Sequence, residues 1–165
     1  MVSRKKAEQE TPEPLGGLNP GMMDEFLSYH AFQMQKGLLK HTGGDFRDIP
    51  LARVYSRPIF LIRANPGVVQ GRIAKAMNLE RSSLVPVIDK LELEGYVERR
   101  PHATDGRSKA LWLTKKGVQA AERMEAIIRE LELKIFAGFS EQERRTLIEL
   151  MRRATTNIWG LDAEG

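Results

Sequence analysis

The residues best suited to chemistry in this chain are cationic, and they are concentrated between positions 65 and 117. This stretch holds ten Lys and Arg against six Asp and Glu, whereas the rest of the chain carries sixteen of each sign. The whole net charge of +4 therefore belongs to the central third of the sequence. A basic surface on a neutral frame suits a polyanionic partner such as nucleic acid, although a solvated basic face would have the same composition.

Catalytic chemistry finds little support in the residue types. The chain has no cysteine, which excludes disulfides, thiolate catalysis and cysteine-based redox sensing. The sequence shows no metal-ligand spacing and no glycine-rich phosphate loop, and its three histidines are scattered: His30, His41 and His102. The adjacent Ser82 and Ser83 have no base nearby in the sequence. We therefore predict that the chain is not an enzyme and that it holds no metal ion and no cofactor.

Two short helices must position the central basic residues. Apolar spacing predicts one helix over residues 69–77 and, after a tight turn at Asn78 and Leu79, a second over residues 82–94 that ends at Gly95. The second helix has one apolar face, formed by Leu84, Val87, Ile88 and Leu91. Two helices joined by such a turn have the outline of a helix-turn-helix.

A basic β-hairpin is predicted directly after the second helix. Residues 96–100 and 110–113 read as strands, and the polar segment between them contains Asp105-Gly106, a strong hairpin signal. The hairpin would carry Arg107 at its tip. A hairpin in this place adds the wing of a winged helix-turn-helix.

Longer helices flank this central part. Apolar residues from Met23 to Leu38 predict a helix that ends near residues 42–44, and a second helix over residues 51–62 contains Pro58, which predicts a kink or a late start. Thr114 is a good N-cap for a long helix, and Ser140 with Glu143 forms a capping box for the last one. No apolar run approaches the ~18–20 residues needed to cross a bilayer.

The physical size of DNA grooves selects candidate contacts. A major groove about 12 Å wide admits one helix, and the residues that enter it must be small or long and polar, as Ser82, Ser83 and Lys90 are. Arg72 is available to a phosphate, and Arg107 on a narrow hairpin suits the negative potential of a minor groove.

The central stretch resembles the MarR family of bacterial winged helix-turn-helix transcriptional regulators. The family's recognition helix and first wing strand are similar to residues 82–99, SSLVPVIDKLELEGYVER. Its D-x-R wing and L-T-x-x-G helix start are similar to Asp105-Gly106-Arg107 and to residues 113–117, LTKKG. The similarity covers roughly residues 22–159, and the motifs are densest over residues 67–117.

The resemblance implies a homodimer whose first and last helices interlock. The fold class expected is mainly α with a small β-hairpin. We predict a disordered tail over residues 1–20, an N-terminal dimerisation helix over 21–48, a winged helix-turn-helix domain over 49–117 and C-terminal dimerisation helices over 118–160.

The resemblance also assigns roles to residues near DNA. It implies that Arg107 enters the minor groove, that Asp105 braces the wing by pairing with a nearby arginine, and that Pro86 faces the major groove, where many members have a long polar residue. The full set of predicted DNA-binding residues is Gln70, Arg72, Ser82, Ser83, Pro86, Lys90, Arg99, His102, Asp105 and Arg107.

Many members of the family bind a small carboxylate or phenolic, often aromatic, in a cleft between the dimer helices and the DNA-binding part. The resemblance therefore implies a ligand of this kind, or a thioester of such an acid, held by candidates that could equally be core residues. These candidates are Phe26, His30, Met34, Tyr55, Arg57 and Phe60.

The residues predict a cytoplasmic protein that binds double-stranded DNA and has no membrane partner. The resemblance further implies that it is a homodimeric repressor. Such a dimer would bind a near-palindromic operator and be released by a small anionic ligand. Two alternatives stay open. The winged helix could be a protein-interaction module, or the regulator could have no small-molecule ligand.

Overall fold

The computed structural model describes residues 17–45, 52–101 and 109–161 of the 165-residue chain. The chain divides into two compact units, Met1–Gly44 and Asp45–Gly165. The first unit contains a short 3₁₀ helix, Gly21–Glu25, and helix α1, Leu27–Asp45. Phe26 has an extended conformation (φ −97°, ψ 124°), so the single helix predicted from Met23 is interrupted there and its α-helical part begins at Leu27.

The second unit combines five helices with a three-stranded antiparallel sheet among the residues that the structure describes. Its elements are α2 (Ala52–Ala64), β1 (Val68–Val69), α3 (Gln70–Ala76), α4 (Arg81–Leu93), β2 (Val97–Pro101), β3 (Lys109–Leu113), α5 (Lys115–Ile135) and α6 (Glu141–Gly160). This architecture agrees with the predicted class of a mainly helical chain with a small hairpin.

The sheet contains one strand more than the sequence predicted. Strands β2 and β3 form the expected hairpin, in which Val97 is opposite Leu113 and Pro101 is opposite Lys109. The two-residue strand β1 adds to the other edge of β3, with Val68 opposite Leu111, so the strand order is β1-β3-β2. Two residues are too few to show the alternation by which a strand is recognised, and for this reason β1 was missed.

One hydrophobic core holds α2, α3, α4, the sheet and the first half of α5 together. Its most deeply buried side chains, each at most 3% exposed, include Ile59, Ile62, Ile73, Leu84, Ile88, Leu91, Val97, Leu111, Ala121 and Met124. The predicted apolar face of α4 supplies Leu84, Ile88 and Leu91 to this core. The core therefore fixes which face of α4 is left to solvent.

Pro58 lies inside α2 and is buried. A proline at this position lacks the N–H that a helix requires, so the sequence predicted a kink or a late start. The late start does not occur, because α2 already begins at Ala52.

The predicted helix caps are confirmed. The Thr114 hydroxyl accepts a hydrogen bond from the Gly117 N–H at 3.0 Å, which begins α5. At the start of α6, the Ser140 hydroxyl accepts from the Glu143 N–H at 3.2 Å, and the Glu143 carboxylate accepts from the Ser140 N–H at 2.7 Å. Within the described residues, no helix combines the length and the apolar character that a bilayer span requires.

Candidate DNA interface

The turn between α3 and α4 is built by Asn78. This residue has a φ of +50°, in the left-handed region that asparagine tolerates better than most side chains. The N–H groups of Asn78 and Leu79 donate to the carbonyls of Lys75 and Ala74, at 3.1 and 2.9 Å. The turn thereby directs the chain from α3 into α4 within four residues, Met77 to Glu80.

Helix α4 has a buried face and an exposed face. The side chains of Leu84, Ile88 and Leu91 are 0% exposed. Five residues predicted to contact DNA lie at exposed positions: Arg72 on α3 and Ser82, Ser83, Pro86 and Lys90 on α4. The structure therefore places these five where a groove or a phosphate could reach them.

Lys90 lies in the last turn of α4 and has an acidic neighbour. Its Nζ is 3.3 Å from Oε1 of Glu94, one helical turn further along. Half of the Lys90 side chain is exposed, so this ion pair holds the amine loosely at the surface. The ion pair weakens the attraction of Lys90 for an anion without burying the charge.

Arg99 has polar partners that the sequence did not suggest. It lies on β2, its side chain is only 21% exposed, and its Nη2 is 2.6 Å from Oδ1 of Asp89. Its Nη1 is paired with Glu92, which also accepts from the Arg99 N–H at 3.2 Å, and Nη2 donates to the amide oxygen of Gln70 at 3.4 Å. Partial burial lowers the pKa of Arg99, but hydrogen bonds and charge from Asp89 and Glu92 outweigh burial and raise its pKa above the ordinary value for arginine.

Arg99 and Gln70 were predicted as DNA contacts. In the structure, the Arg99 guanidinium donates to the Gln70 amide oxygen and is paired with two carboxylates. No role was predicted for Asp89 and Glu92. Their spacing of three residues on α4 was a usable signal, because it puts both carboxylates on one side of a helix. What it could not show was which strand residue would meet them.

The base of the hairpin carries further cations. The Arg100 guanidinium is paired with Glu98 and lies 5.0 Å from the centre of the Trp112 ring, and Lys109 is exposed. The hairpin tip, with the predicted DNA contacts His102, Asp105 and Arg107, lies outside the described residues.

The far end of α4 is tied to the beginning of α5. Lys116 donates from Nζ to the Glu94 carbonyl at 2.7 Å and lies 4.3 Å from the centre of the Tyr96 ring. The Thr114 hydroxyl donates to the Gly95 carbonyl at 2.6 Å. These contacts fix the orientation of α4 relative to α5, and sequence reasoning missed them because it assigned Thr114 only as a cap.

The residues predicted to hold a ligand are divided between the two units. Phe26, His30 and Met34 belong to the first unit, where all three are exposed and the His30 ring nitrogen Nε2 is 2.7 Å from the Asp24 carbonyl. In the second unit, Arg57 is exposed, and the side chain of Tyr55 is outside the described residues.

Phe60 lines a cavity of about 640 Å³ between α2 and α5. Arg63 and Arg129 border the same cavity, and both donate to the Glu125 carboxylate, which lowers the pKa of Glu125, chiefly through Arg129. Among the described residues, no cluster of His, Asp and Glu could hold a metal ion.

The central part of the chain is similar in sequence to known proteins. The sequence model of the MarR family matches residues 58–109. A protein of Thauera aromatica, named as a transcriptional regulatory protein for the hcr operon, is 40% identical over 93 residues. That alignment covers 56% of this chain and 56% of the relative, so the match spans just over half of each protein.

Solved structures share the fold over most of the chain. The repressor CouR, bound to a 23-mer DNA duplex, aligns with a TM-score of 0.75 and 24% identity over 84% of this chain and 98% of its own. The DNA complex of MepR from S. aureus aligns with a TM-score of 0.71 and 18% identity, over 82% and 98%. At these identities the likeness establishes the winged helix-turn-helix fold.

Proposed function

We propose that this chain is a transcriptional regulator that binds double-stranded DNA, since the sequence model of the MarR family matches its residues 58–109. The observation that carries the proposal is the division of α4 into a buried face and an exposed face. The inner face is packed in the core, while Ser82, Ser83 and Lys90 on the outer face are exposed to solvent. The surplus of four positive charges over residues 65–117 belongs to the same part of the chain. Neighbours of the same fold include proteins solved on DNA duplexes.

In this proposal the contacts divide by groove. The outer face of α4 enters the major groove, where Ser82, Ser83 and Pro86 meet base edges and Lys90 reaches a base or a phosphate. Arg72 contacts the backbone. On the wing, Arg107 enters the minor groove, Asp105 braces it, and His102 lies near a phosphate. Gln70 and Arg99 have a different role, because their side chains are paired with each other and Arg99 is also paired with Asp89 and Glu92.

We further propose that the active form is a homodimer. Helix α6 has no buried residue, and several of its large apolar side chains are at least 36% exposed: Ile148, Leu150, Ile158 and Trp159. Helix α1 likewise exposes Leu27, Phe32, Met34, Leu38 and Leu39. Burying such stripes against a second copy would remove apolar surface from water, and a two-fold dimer would read a near-palindromic operator with half-sites ~34 Å apart.

Repression and release by a small anionic ligand complete the proposal. The cavity beside Phe60 offers an apolar wall with Arg63 and Arg129 at its border, which suits an aromatic carboxylate or its thioester, or a phenolic. Phe26, His30, Met34, Tyr55 and Arg57 stay predicted ligand contacts, as the resemblance implies. A regulator of DNA acts where the chromosome is, so the proposal includes a cytoplasmic location. The family and the named relatives are regulators and not enzymes.

Arg107→Ala is the direct test of DNA binding. Duplexes recovered by selection from a random-sequence pool should bind the wild type with an affinity that falls steeply with salt, since each neutralised phosphate releases counterions. Arg107→Ala should weaken binding to selected and scrambled duplexes alike and reduce the salt slope by roughly one unit. Selection that recovers no duplex, or a variant that binds as tightly as the wild type, would favour the rival module that binds a protein through the winged helix.

A truncation tests the dimer separately. Removing all residues after Ser140 deletes α6, and sedimentation should then show monomers or aggregates where the full chain is a dimer. The matched control is Arg145→Gln on α6, which removes only an exposed ion pair with Glu141 and should leave the dimer intact. A folded, DNA-binding dimer from the truncated chain would overturn the assignment of α6.

A further inference from the structure

Arg99 joins three elements that belong to different parts of the DNA-binding surface. Its guanidinium reaches Gln70 on α3 and Asp89 and Glu92 on α4, while its backbone is part of β2 at the base of the wing. We propose that Arg99 is a positioning residue, which fixes the wing relative to α4 and does not itself contact DNA. This inference rests on the proposed DNA-binding function and replaces the contact role that the sequence suggested for Arg99 and Gln70.

The geometry uses the arginine in a way that a point charge could not. Nη1 and Nη2 bind different carboxylates, and Nη2 also donates to the Gln70 amide oxygen. Glu92 grips the same residue twice, through the guanidinium and through the main-chain N–H of Arg99. A planar fork with several fixed donors is required for this arrangement, and a lysine has only one compact ammonium group.

The local charge argues against a direct phosphate contact. Arg99 carries one positive charge and its two partners carry two negative ones, so the cluster as a whole is negative. A phosphate would be repelled by Asp89, which is 56% exposed, before it reached the guanidinium, which is mostly covered. The two carboxylates therefore weaken the electrostatic attraction of this surface for DNA. Their presence is explained if a fixed position of the wing contributes more to DNA affinity than the lost attraction.

A fixed wing matters because the two reading elements must reach different grooves at the same time. The outer face of α4 belongs to one element, whereas the residues predicted at the wing tip follow Pro101, the last residue of β2, in the sequence. Apolar contacts of Val97 in the core hold the beginning of β2, and the Arg99 cluster holds it two residues further out. Without the cluster, the hairpin beyond this point would swing relative to α4.

The sign of one mutational effect separates the two roles. Asp89→Asn removes a negative charge beside the DNA-binding surface and frees the guanidinium, so a contact role for Arg99 predicts tighter DNA binding. The positioning role predicts the opposite, a loss of about five- to tenfold in affinity for the selected duplex. Glu92→Gln should likewise lower the affinity for the selected duplex. Glu98→Gln is the matched control, because it removes an acid from β2, next to Arg99, but leaves the cluster whole, and it should bind DNA as tightly as the wild type or more tightly.

Two further variants keep the test decisive if Asp89→Asn alters the fold. Arg99→Lys retains the charge and should bind as weakly as Arg99→Met, whereas a phosphate contact would be largely rescued by lysine. In the Arg99→Met background, Arg107→Ala should cost less affinity than it does in the wild type, because a displaced wing has already lost that contact. Melting temperatures identify any variant that is merely unfolded.

The outcomes distinguish this inference from the function beneath it. If the wild type selects no DNA, the proposed function fails. If the wild type binds DNA and Asp89→Asn binds it equally well or better, or if Arg99→Lys binds like the wild type, the positioning role is overturned while the proposed function stands.

Discussion

Gly117 lies so close to Tyr96 that a Cβ added to this glycine would stand 2.0 Å from the main-chain carbonyl oxygen of Tyr96. Gly117 is in the first turn of α5, and Tyr96 lies in the short connection between the end of α4 at Leu93 and the start of β2 at Val97. The same carbonyl accepts a hydrogen bond from the Thr114 N–H at 3.0 Å. The absence of a side chain therefore allows the start of α5 to approach the end of α4 closely.

Gly117→Ala should destabilise the second unit strongly. The added methyl group meets a backbone atom, which cannot rotate away as a side chain would, so α5 and the α4–β2 turn must move apart. We expect a loss of about 2–3 kcal/mol in the free energy of unfolding, the upper part of the range for overpacked cores. Urea unfolding followed by circular dichroism measures it.

Gly160→Ala is the control for that variant. Gly160 is the last residue of α6, and a Cβ at this position would meet no atom within 4 Å. Its stability should equal that of the wild type or exceed it slightly, since alanine is the better helix former. Equal stability of both alanine variants would contradict the close approach at Tyr96.

The sequence contains the L-T-x-x-G motif at residues 113–117, but it does not show why the motif requires a glycine. Thr114 was recognised as a cap from its residue type and place, and the hydroxyl does cap α5. The contact between Gly117 and Tyr96 spans twenty-one residues and depends on the path of the sheet between them. Local signals such as caps and apolar periodicity are readable from sequence, whereas contacts set by the packing of whole elements are not.

Ile88→Ala tests whether the core holds the recognition helix in place. Ile88 is 0% exposed at the centre of the inner face of α4, and its truncation leaves a cavity. We expect a loss of about 2–5 kcal/mol in unfolding free energy. Val85→Ala, on a position that is 40% exposed, should change stability by less than ~0.5 kcal/mol. Thermal melts of the two variants measure these stability changes. Similar losses of stability for both variants would contradict the assignment of the buried and exposed faces of α4.

The start of α6 should be sensitive to acid. Hydrogen bonds from the Ser140 hydroxyl and main-chain N–H lower the pKa of Glu143 below its ordinary value of 4.5. A lowered pKa in the folded state means that the cap contributes fully above pH 4.5 and is lost as the pH falls through the folded-state pKa. The protection of the amides at residues 140–143, expressed relative to the intrinsic exchange rate at each pH, should therefore be full at neutral pH and decrease as the pH falls below 4.5.

Ser140→Ala provides the check on the cause. Removing the hydroxyl should raise the pKa of Glu143 toward 4.5, which a titration of its side-chain carboxyl carbon by NMR would follow. If the carboxyl of Glu143 titrated identically in the wild type and in Ser140→Ala, the side-chain hydrogen bond would not be the cause of the lowered pKa.

The candidate site was predictable in its outline and unpredictable in its internal pairing. Composition placed the charge, and periodicity identified the exposed face of α4 with Ser82, Ser83 and Lys90. The partners of Arg99 come from two other elements, Gln70 from α3 and Asp89 and Glu92 from α4, and no local pattern joins them to Arg99. A half-buried arginine on a strand reads in sequence like an exposed one, so the sequence alone does not reveal the ion pairs of Arg99 with Asp89 and Glu92.

Pro86 presents a conflict between helix stability and surface chemistry. It lies inside α4, where its nitrogen has no hydrogen to donate to the carbonyl of Ser82, four residues earlier. A proline in a helix interior costs about 3 kcal/mol relative to alanine. The ring lies at an exposed position of the outer face, so no core packing offsets this cost.

Pro86→Ala should therefore move stability and sequence discrimination in opposite directions. Alanine restores the missing hydrogen bond, so the free energy of unfolding should rise by up to about 3 kcal/mol, measured by urea unfolding. The variant also loses apolar ring surface on the groove-facing side, so its preference at one base pair of the selected duplex should weaken, most clearly if that base is a thymine with its methyl group. The salt slope should not change, because no charge is removed. A lower unfolding free energy would show that the proline acts mainly by restricting the unfolded chain, and an altered salt slope would show that α4 had moved on the DNA.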